Sequence, residues 1–419
     1  MKQTNMNDYS DNLLEDRFER RFIMDYKDMS VSMKAIHGGV TKEKGYNALT
    51  MPIYQTSTFY FNSAEEGGQL FAGEKEGYIY SRLGNPTVSL LEEKIALLEG
   101  GEACAAASSG MGAISAALWT IAAAGKHIIA DEVLYGCTYA LLAHGMTRYG
   151  VEVDFIDTSD IEAVKKALKD NTVCVYLETP ANPTLKIADI EEVAKVAHGF
   201  NPEIKVVVDN TFATPMLQNP LAIGADVVVH SATKYLNGHG DVIAGFVVAD
   251  AAFIMDVKMF GIKDMTGSVL GPQEAFLIMR GLKSFALRVK KHTENAKKIA
   301  EYLTTEPKVK KVYYPGLADH PGHEVAKKQM KDFGGMLSFE VATREEGAKL
   351  CNAVEIITCA VSLGDAETLI EHPASMTHSP YTAEELEAAG IPEGLIRLAP
   401  GLEEADELIA DLKQAFAKL

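Results

Sequence analysis

A lysine with two neighbouring hydroxyl side chains follows a short apolar run. Residues 225–230 have the composition of a buried strand, and Ser231, Thr233 and Lys234 come directly after it. Open α/β sheets bind ligands just past their strand ends. A free lysine, with a reference pKa of roughly 10.4, needs dry or cationic surroundings, or a bound aldehyde, to become a nucleophile. The group therefore suits an aldehyde that carries a phosphate, although most lone lysines are solvated surface charges.

An aspartate stands at the end of the preceding apolar run. Asp209 closes residues 206–209, about 25 positions before Lys234. A carboxylate at a strand end can keep the nitrogen of a pyridine ring protonated, so that the ring withdraws electrons from a carbanion. The alternative is an aspartate that caps the turn at Asn210 and Thr211. In combination, Lys234 and Asp209 indicate pyridoxal phosphate.

Two further motifs supply contacts that this cofactor uses. Gly110 and Met111 follow Ser109 at the start of an alanine-rich helix, where free N–H groups and the helix dipole favour a phosphate. Tyr135 follows a predicted strand and can stack on an aromatic ring. The alternatives are an ordinary helix start and a half-buried tyrosine in a turn.

An asparagine and an arginine complete the set of candidate residues. Asn182 lies between two prolines in an extended loop, where its amide can bond a phenolic oxygen. Arg397 lies between apolar neighbours in a strand-like segment and needs a partner if it is buried. A substrate carboxylate can be that partner through a two-pronged hydrogen bond, and an internal ion pair is the alternative.

Composition excludes several classes of protein. The chain has 419 residues, 47% apolar and 23% charged, which is typical of a globular protein with two or more domains. Its net charge of −18 argues against nucleic acid and anionic membranes as partners. Five dispersed cysteines lack metal-ligand spacing and fit a reducing cytoplasm. We expect no metal, no membrane-spanning segment and no signal peptide.

Strand and helix patterns alternate in the middle of the chain. Apolar runs predict strands at residues 127–130, 151–156, 173–177, 206–209, 227–229, 242–248 and 336–341. Periodic spacing and capping residues predict helices at 87–99, 113–124, 160–169, 189–198, 288–303 and 403–419. This alternation predicts an α/β fold with a mostly parallel central sheet and helices on both faces.

The motifs together resemble the Cys/Met-metabolism family of pyridoxal-phosphate enzymes. The resemblance begins near residue 35, runs to the C-terminus, and rests on Tyr80-Ser-Arg-Leu-Gly-Asn-Pro-Thr87, Ser109-Gly-Met111, Glu178-Thr-Pro-Ala-Asn-Pro183, Val208-Asp-Asn-Thr211, Ser231-Ala-Thr-Lys234 and Leu395-Ile-Arg397. It implies an aspartate-aminotransferase-like fold with a smaller α+β C-terminal domain. It also implies a homotetramer built as a dimer of dimers, with active sites shared between subunits. We expect a leader (1–30), an irregular arm (31–84) that contacts a neighbouring subunit, a cofactor domain (85–285) and a C-terminal domain (286–419).

The resemblance also implies a role for each candidate residue. Lys234 would hold the cofactor covalently, Asp209 would pair with the ring nitrogen, Asn182 with the phenolic oxygen, and Tyr135 would stack on the ring. The phosphate would be bound by Gly110, Met111, Ser231 and Thr233, and by Tyr80 and Arg82 from the neighbouring subunit. Arg397 and Ser362 would bind the substrate carboxylate.

Within the family, two features resemble the methionine γ-lyases. One is Cys137, two residues after Tyr135, and the other is the segment Gly261-Ile-Lys-Asp-Met-Thr-Gly267. The resemblance implies that Lys263 and Asp264 lie near the substrate. The implied reaction is α,γ-elimination of L-methionine. The alternatives are a cystathionine γ-lyase or homocysteine desulfhydrase, an O-acetylhomoserine sulfhydrylase, and a protein that binds the cofactor without turnover. The segment after Arg397, Leu398-Ala-Pro-Gly-Leu402, departs slightly from the commoner family form.

Overall fold

The structure is a computed structural model that describes residues 26, 28–39, 47–377 and 390–419. Most of the expected leader lies outside these residues. None of the helices in these ranges is both long and apolar enough to cross a membrane. The same ranges bring together no group of three or more His, Cys, Asp or Glu side chains that could hold a metal ion.

The strands of the described chain form two sheets. They are β1 (Ala103–Ala107), β2 (His127–Asp131), β3 (Glu152–Ile156), β4 (Thr172–Glu178), β5 (Lys205–Asp209), β6 (Val227–Ser231), β7 (Gly245–Ala249), β8 (Lys311–Tyr313), β9 (Leu337–Glu340), β10 (Thr358–Cys359), β11 (Leu369–Glu371) and β12 (Leu395–Ala399). Seven of them make the first sheet, in the order β1-β7-β6-β5-β4-β2-β3, and five make the second, in the order β10-β11-β12-β9-β8.

Helices connect and cover these strands. The α-helices are α1 (Val31–His37), α2 (Ala64–Phe71), α3 (Pro86–Glu99), α4 (Gly110–Ile121), α5 (Gly136–Ala140), α6 (Ile161–Ala167), α7 (Ile190–Phe200), α8 (Thr214–Leu217), α9 (Ala251–Asp256), α10 (Pro272–Leu282), α11 (Phe285–Leu303), α12 (His323–Gln329), α13 (Arg344–Ala353) and α14 (Ala405–Ala417). Two π-helical segments (Leu141–Gly145, Val257–Thr266) and three 3₁₀ turns (Met146–Tyr149, Pro220–Ile223, Pro373–Ser375) lie between them.

The first sheet is parallel except at one strand. Strands β2 to β6 pair in parallel, whereas β7 is antiparallel to both β6 and β1. The exception follows from the short connection between β6 and β7, which lacks the crossover helix that a parallel pair requires. The carboxyl ends of β4, β5 and β6 therefore lie side by side, and they carry Glu178, Asp209 and Ser231.

Alternate residues of these strands pack against helices on opposite faces. Val207 and Val229 pack in one core cluster with α4, whereas Val206 and Val208 pack in another with α7. Three of these valines lie on β5 and one on β6, where successive side chains point to opposite faces. All four are buried, so each face of the sheet is apolar. The expected doubly covered α/β sheet is what the structure shows.

Capping residues set the helix ends that the sequence predicted. Asn85 caps α3 with Pro86 in its first turn, and Gly100 ends it in the left-handed region at φ 80°. Ser109 accepts a hydrogen bond from the backbone N–H of Gly112 and so starts α4 at Gly110, three residues before the predicted start.

The segment before α3 differs from the irregular arm that the sequence suggested. It contains α1 and α2, which were not predicted because their apolar residues are few and the helices are short. The buried Lys94 of α3 donates to the backbone carbonyls of Ile36 and Gly38, at 3.2 and 2.6 Å. A cation at the C-terminal end of a helix is favoured by the helix dipole, so Lys94 anchors α1 to the body of the chain.

Candidate active site

Lys234 lies in the turn that follows β6, as the sequence indicated. Its Nζ donates a hydrogen bond to Oγ of Ser362 at 2.8 Å, across 128 positions of sequence. Burial, and then the positive charge of Arg397, lower the pKa of Lys234, while Asp365 and Glu371 act in the opposite direction. A lowered pKa raises the fraction of neutral amine, which is the form that attacks a carbonyl carbon.

Ser362 connects this lysine to Arg397. Its backbone has φ 121°, a conformation that L-residues seldom adopt and that commonly marks a functional site. The carbonyl of Ser362 accepts a hydrogen bond from Nη2 of Arg397 at 2.9 Å, while its hydroxyl faces Lys234. One residue thus fixes the positions of two cations that approach from different parts of the chain.

The guanidinium of Arg397 is buried and has two more partners. Nη1 donates to Oδ1 of Asn182 at 3.0 Å and lies 3.1 Å from Oε1 of Glu371. The structure thus contains the internal ion pair that was the alternative for this arginine. Since the oxygen of Asn182 is turned to Arg397, its amide nitrogen points away and remains a donor for another group.

Asp209 ends β5 next to a second carboxyl group. Glu178 is its registered neighbour on β4, and burial together with the charge of Asp209 raises the pKa of Glu178 well above its usual range. Burial also raises the pKa of Asp209, against the hydrogen bonds that the N–H and hydroxyl of Thr211 donate to Oδ1 at 2.9 and 2.5 Å. The turn-capping alternative for Asp209 is therefore present too, but it uses only one carboxylate oxygen.

Glu178 also positions Tyr135. Both of its carboxylate oxygens accept the backbone N–H of Tyr135 at 3.0 Å. Hydrogen bonding to Cys137, followed by burial, raises the pKa of Tyr135 to about 12. The phenol therefore keeps its proton at neutral pH.

The start of α4 packs directly on the end of β6. A Cβ added at Gly110 would lie 2.8 Å from Cβ of Ser231, so only glycine permits this approach. The backbone N–H of Ala113 donates the first main-chain hydrogen bond of α4, to the carbonyl of Ser109 at 3.0 Å, which leaves the N–H groups of Gly110 and Met111 directed out of the helix end. The hydroxyl of Thr233 accepts a hydrogen bond from the backbone N–H of Ala244 at 3.1 Å, and the next residue, Gly245, packs on the backbone of Ser109 and Gly110.

A separate group at the surface consists of four candidate residues: Tyr80, Arg82, Lys263 and Asp264. Nη1 of Arg82 donates to the carbonyl of Lys263 at 3.3 Å, and the guanidinium lies 5.6 Å from the ring centre of Tyr80. Lys263 in turn pairs with Asp264 at 2.5 Å. Within the described ranges, no hydrogen bond or ion pair joins these four residues to Lys234, Asp209 or Arg397.

Sequence reasoning missed three acidic residues of the site: Glu178, Asp365 and Glu371. Glu178 stood inside a recognised motif at a strand end, which was the available signal. Asp365 and Glu371 are buried, at 8% and 2% exposure, in a stretch without a distinctive motif. Only the folded chain places them beside Lys234 and Arg397.

The residues at the three strand ends fit pyridoxal phosphate. The group needs an amine, an acid for its ring nitrogen and N–H or O–H donors for its phosphate. Lys234 and Asp209 supply the first two, and the close approach of Gly110 to Ser231 forms a cradle that a Cβ would fill. The unpaired N–H groups of α4 supply the donors.

Comparison with known proteins identifies the family. The Cys/Met metabolism PLP-dependent enzyme family matches residues 32–417. An L-methionine gamma-lyase of Fusobacterium nucleatum subsp. polymorphum is 59% identical over 397 residues, covering 94% of this chain and 100% of that protein. An L-methionine gamma-lyase of Treponema denticola is 60% identical over 392 residues, covering 93% of this chain and 98% of that protein.

A solved structure shares the whole fold. The putative O-acetylhomoserine (thiol)-lyase of Campylobacter jejuni, solved with a pyridoxyl-lysine monophosphate, has a TM-score of 0.89 and 34% identity, covering 93% of this chain and 100% of that one. These similarities confirm the fold class and the cofactor that the sequence motifs indicated. The chain belongs to the Cys/Met metabolism family of pyridoxal-phosphate-dependent enzymes.

Proposed function

We propose that the chain is a carbon–sulfur lyase that catalyses α,γ-elimination of L-methionine. With one water, methionine yields methanethiol, ammonia and 2-oxobutyrate. The observation that carries the proposal is the link through Ser362, which sets the amine of Lys234 beside the guanidinium of Arg397. The relatives named L-methionine gamma-lyase support methionine as the substrate.

Arg397 binds the substrate carboxylate in this proposal. It is fixed by Asn182 and Ser362, so its planar fork is held in one orientation before the substrate arrives. Holding the carboxylate fixes the direction of the Cα–H bond relative to the cofactor ring. Such positioning lowers the activation free energy because the substrate is already oriented when the reaction begins.

Lys234 moves the protons. In this proposal its neutral amine takes the proton from Cα of the substrate and then serves at Cβ. Burial and Arg397 lower the pKa of Lys234, which favours this base form, and a positioned base contributes about 10²–10⁴-fold in rate. Pyridoxal phosphate, when bound, supplies an electron-withdrawing ring, and Asp209 keeps the nitrogen of that ring protonated.

Tyr135 is the proposed acid for the departing thiolate. Its phenol is protonated at neutral pH and is held by the bond between its backbone N–H and Glu178. Cys137, which is exposed, shapes the pocket for the thioether in this proposal and forms no covalent bond with the substrate. Its alternative role is that of a small filler side chain.

Other substrates of the family remain as alternatives to methionine. A cystathionine γ-lyase, a homocysteine desulfhydrase and an O-acetylhomoserine sulfhydrylase would use the same Lys234, Asp209 and Arg397. Comparing methanethiol and 2-oxobutyrate release from methionine, homocysteine, cystathionine and cysteine separates these activities. Yellow protein that releases no 2-oxobutyrate from any of them would instead be a cofactor-binding protein.

The surface group around Arg82 supports a shared site in a homotetramer built from two dimers. Tyr80 and Arg82 are exposed and lie apart from the lysine, so they are available to a neighbouring subunit's phosphate. Mixing Lys234→Ala with Arg82→Ala subunits should restore part of the activity that each variant lacks, because some mixed sites carry both native residues. The unpaired cysteines fit a cytoplasmic enzyme.

Replacing the lysine tests the central assignment. Lys234→Ala should lose the yellow absorption of the lysine-bound cofactor and the release of 2-oxobutyrate. Lys298→Ala, at an exposed lysine of α11, is the control and should keep both. A Lys234→Ala protein that is still yellow and active would refute the assignment.

A further inference from the structure

Glu371 is a buried acid that competes for the arginine of the proposed substrate site. It is the registered neighbour of Arg397 across β11 and β12, and it is only 2% exposed. Its Oε1 lies 3.1 Å from Nη1 of Arg397, while its Oε2 is buried and has no hydrogen-bond partner. A carboxylate with one unsatisfied buried oxygen is costly to keep ionised.

Nearby cations determine the charge of Glu371. Among the residues that the structure describes, the charged or titratable groups facing it are Arg397 on β12, Lys234 after β6 and the thiol of Cys351 on α13. Burial raises the pKa of Glu371, and the charges of Arg397 and Lys234 oppose this increase. Any reduction in these positive charges therefore favours the protonated acid.

Substrate binding offsets the positive charge that Glu371 experiences. A carboxylate held by Arg397 would be a second anion on a guanidinium that Glu371 already occupies. Two carboxylates that share one buried cation repel each other, and one of them then binds a proton more tightly.

We propose that Glu371 takes up a proton from solvent when a carboxylate binds Arg397, so that substrate binding is coupled to proton uptake. The inference rests on the proposed role of Arg397 as the carboxylate site. No covalent bond changes: the buffer gives up one proton and the Glu371 carboxylate gains it. Glu371 is thereby a positioning residue that releases Arg397 for the substrate and makes affinity depend on pH.

The holoenzyme and 4-(methylthio)butanoate provide the test. This compound is methionine without its amino group, so it engages the carboxylate site and cannot displace Lys234. Calorimetric titration in two buffers with different ionisation enthalpies gives the number of protons taken up per site. We expect up to one proton for the native enzyme, and affinity that falls as much as tenfold per pH unit between the pKa of Glu371 in the free enzyme and its higher pKa in the complex.

Two variants and a neutral ligand serve as controls. Glu371→Gln should bind the analogue without proton uptake and with pH-independent affinity. Glu367→Gln, at an exposed acid four positions earlier, should behave as the native enzyme. The corresponding alcohol, 4-(methylthio)butan-1-ol, should cause no proton uptake.

Each negative outcome has its own meaning. Native enzyme that binds the analogue with no proton uptake overturns the inference, and this measurement needs no variant. The same uptake in Glu371→Gln also overturns it. Analogue affinity that is unchanged in Arg397→Ala would refute the carboxylate-site assignment instead, which is a failure of the proposed function.

Discussion

Glu99 holds a buried polar network behind the cofactor site, and its removal should destabilise the chain. Its Oε1 lies 2.5 Å from Nε2 of His230 and accepts a hydrogen bond from Nδ2 of Asn210 at 2.8 Å. Glu99 and His230 are each 1% exposed, and Asn210 is fully buried. Since Asn210 follows Asp209 directly, the network also fixes the end of β5.

The size of the expected loss of stability follows from the buried donors that Glu99→Ala deprives of their acceptor. Two buried donors lose their shared acceptor, and a charge-assisted hydrogen bond contributes about 1.5–3 kcal/mol. Removing one member of a buried pair typically costs about 3–5 kcal/mol. We expect the free energy of unfolding to fall by about 3–5 kcal/mol. Glu99→Gln keeps one oxygen acceptor and should lose less.

Denaturant unfolding of the holoenzyme measures this loss. Circular dichroism and cofactor absorbance should be recorded together, because a chain of this size can unfold in more than one step. Glu102→Ala is the control: this exposed glutamate near the same helix end accepts a single bond from the backbone N–H of Ala251, at 3.0 Å. If Glu99→Ala and Glu102→Ala unfold at the same denaturant concentration, the reasoning about the buried network is wrong.

Three other predictions concern the pocket, the phosphate cradle and acid stability. Cys137→Gly should reduce turnover of methionine more than turnover of cystathionine, and equal losses in steady-state assays would remove the reason for linking Cys137 to methionine. Gly110→Ala should weaken cofactor binding in equilibrium dialysis, because the added Cβ would lie 2.8 Å from Cβ of Ser231; native affinity would contradict the proposed cradle. Burial lowers the pKa of His292 to about 4. Below about pH 6.5 the unfolded chain therefore binds a proton that the folded chain does not bind. The free energy of unfolding should decrease by roughly 3 kcal/mol as the pH falls from 6.5 to 4. His292→Gln should show a shallower decline in acid-unfolding curves, and an unchanged slope would show that another group takes up the proton.

Local sequence was sufficient for about half of the strands and helices and for the residues at the strand ends. The strand of residues 206–209 and the helix of residues 87–99 were predicted because alternation and capping act over a few residues. The positions of Lys234 and Asp209 after neighbouring strands followed from the same patterns. The short α1 and α2 were not predicted, since α1 depends on its contact with Lys94 in addition to its own sequence.

The contacts that define the chemistry were decided by the tertiary structure. Lys234 meets Ser362, and Arg397 meets Glu371 and Asn182, through pairings that join distant parts of the chain. No local pattern encodes such meetings. Lys234 follows a strand of the first sheet whereas Arg397 lies on the second, and Glu371 meets Arg397 because β11 pairs with β12. The pKa shifts of Lys234 and Glu371 have the same origin: burial and neighbouring charge are properties of the folded chain, so a sequence can name the titrating groups but not their protonation states.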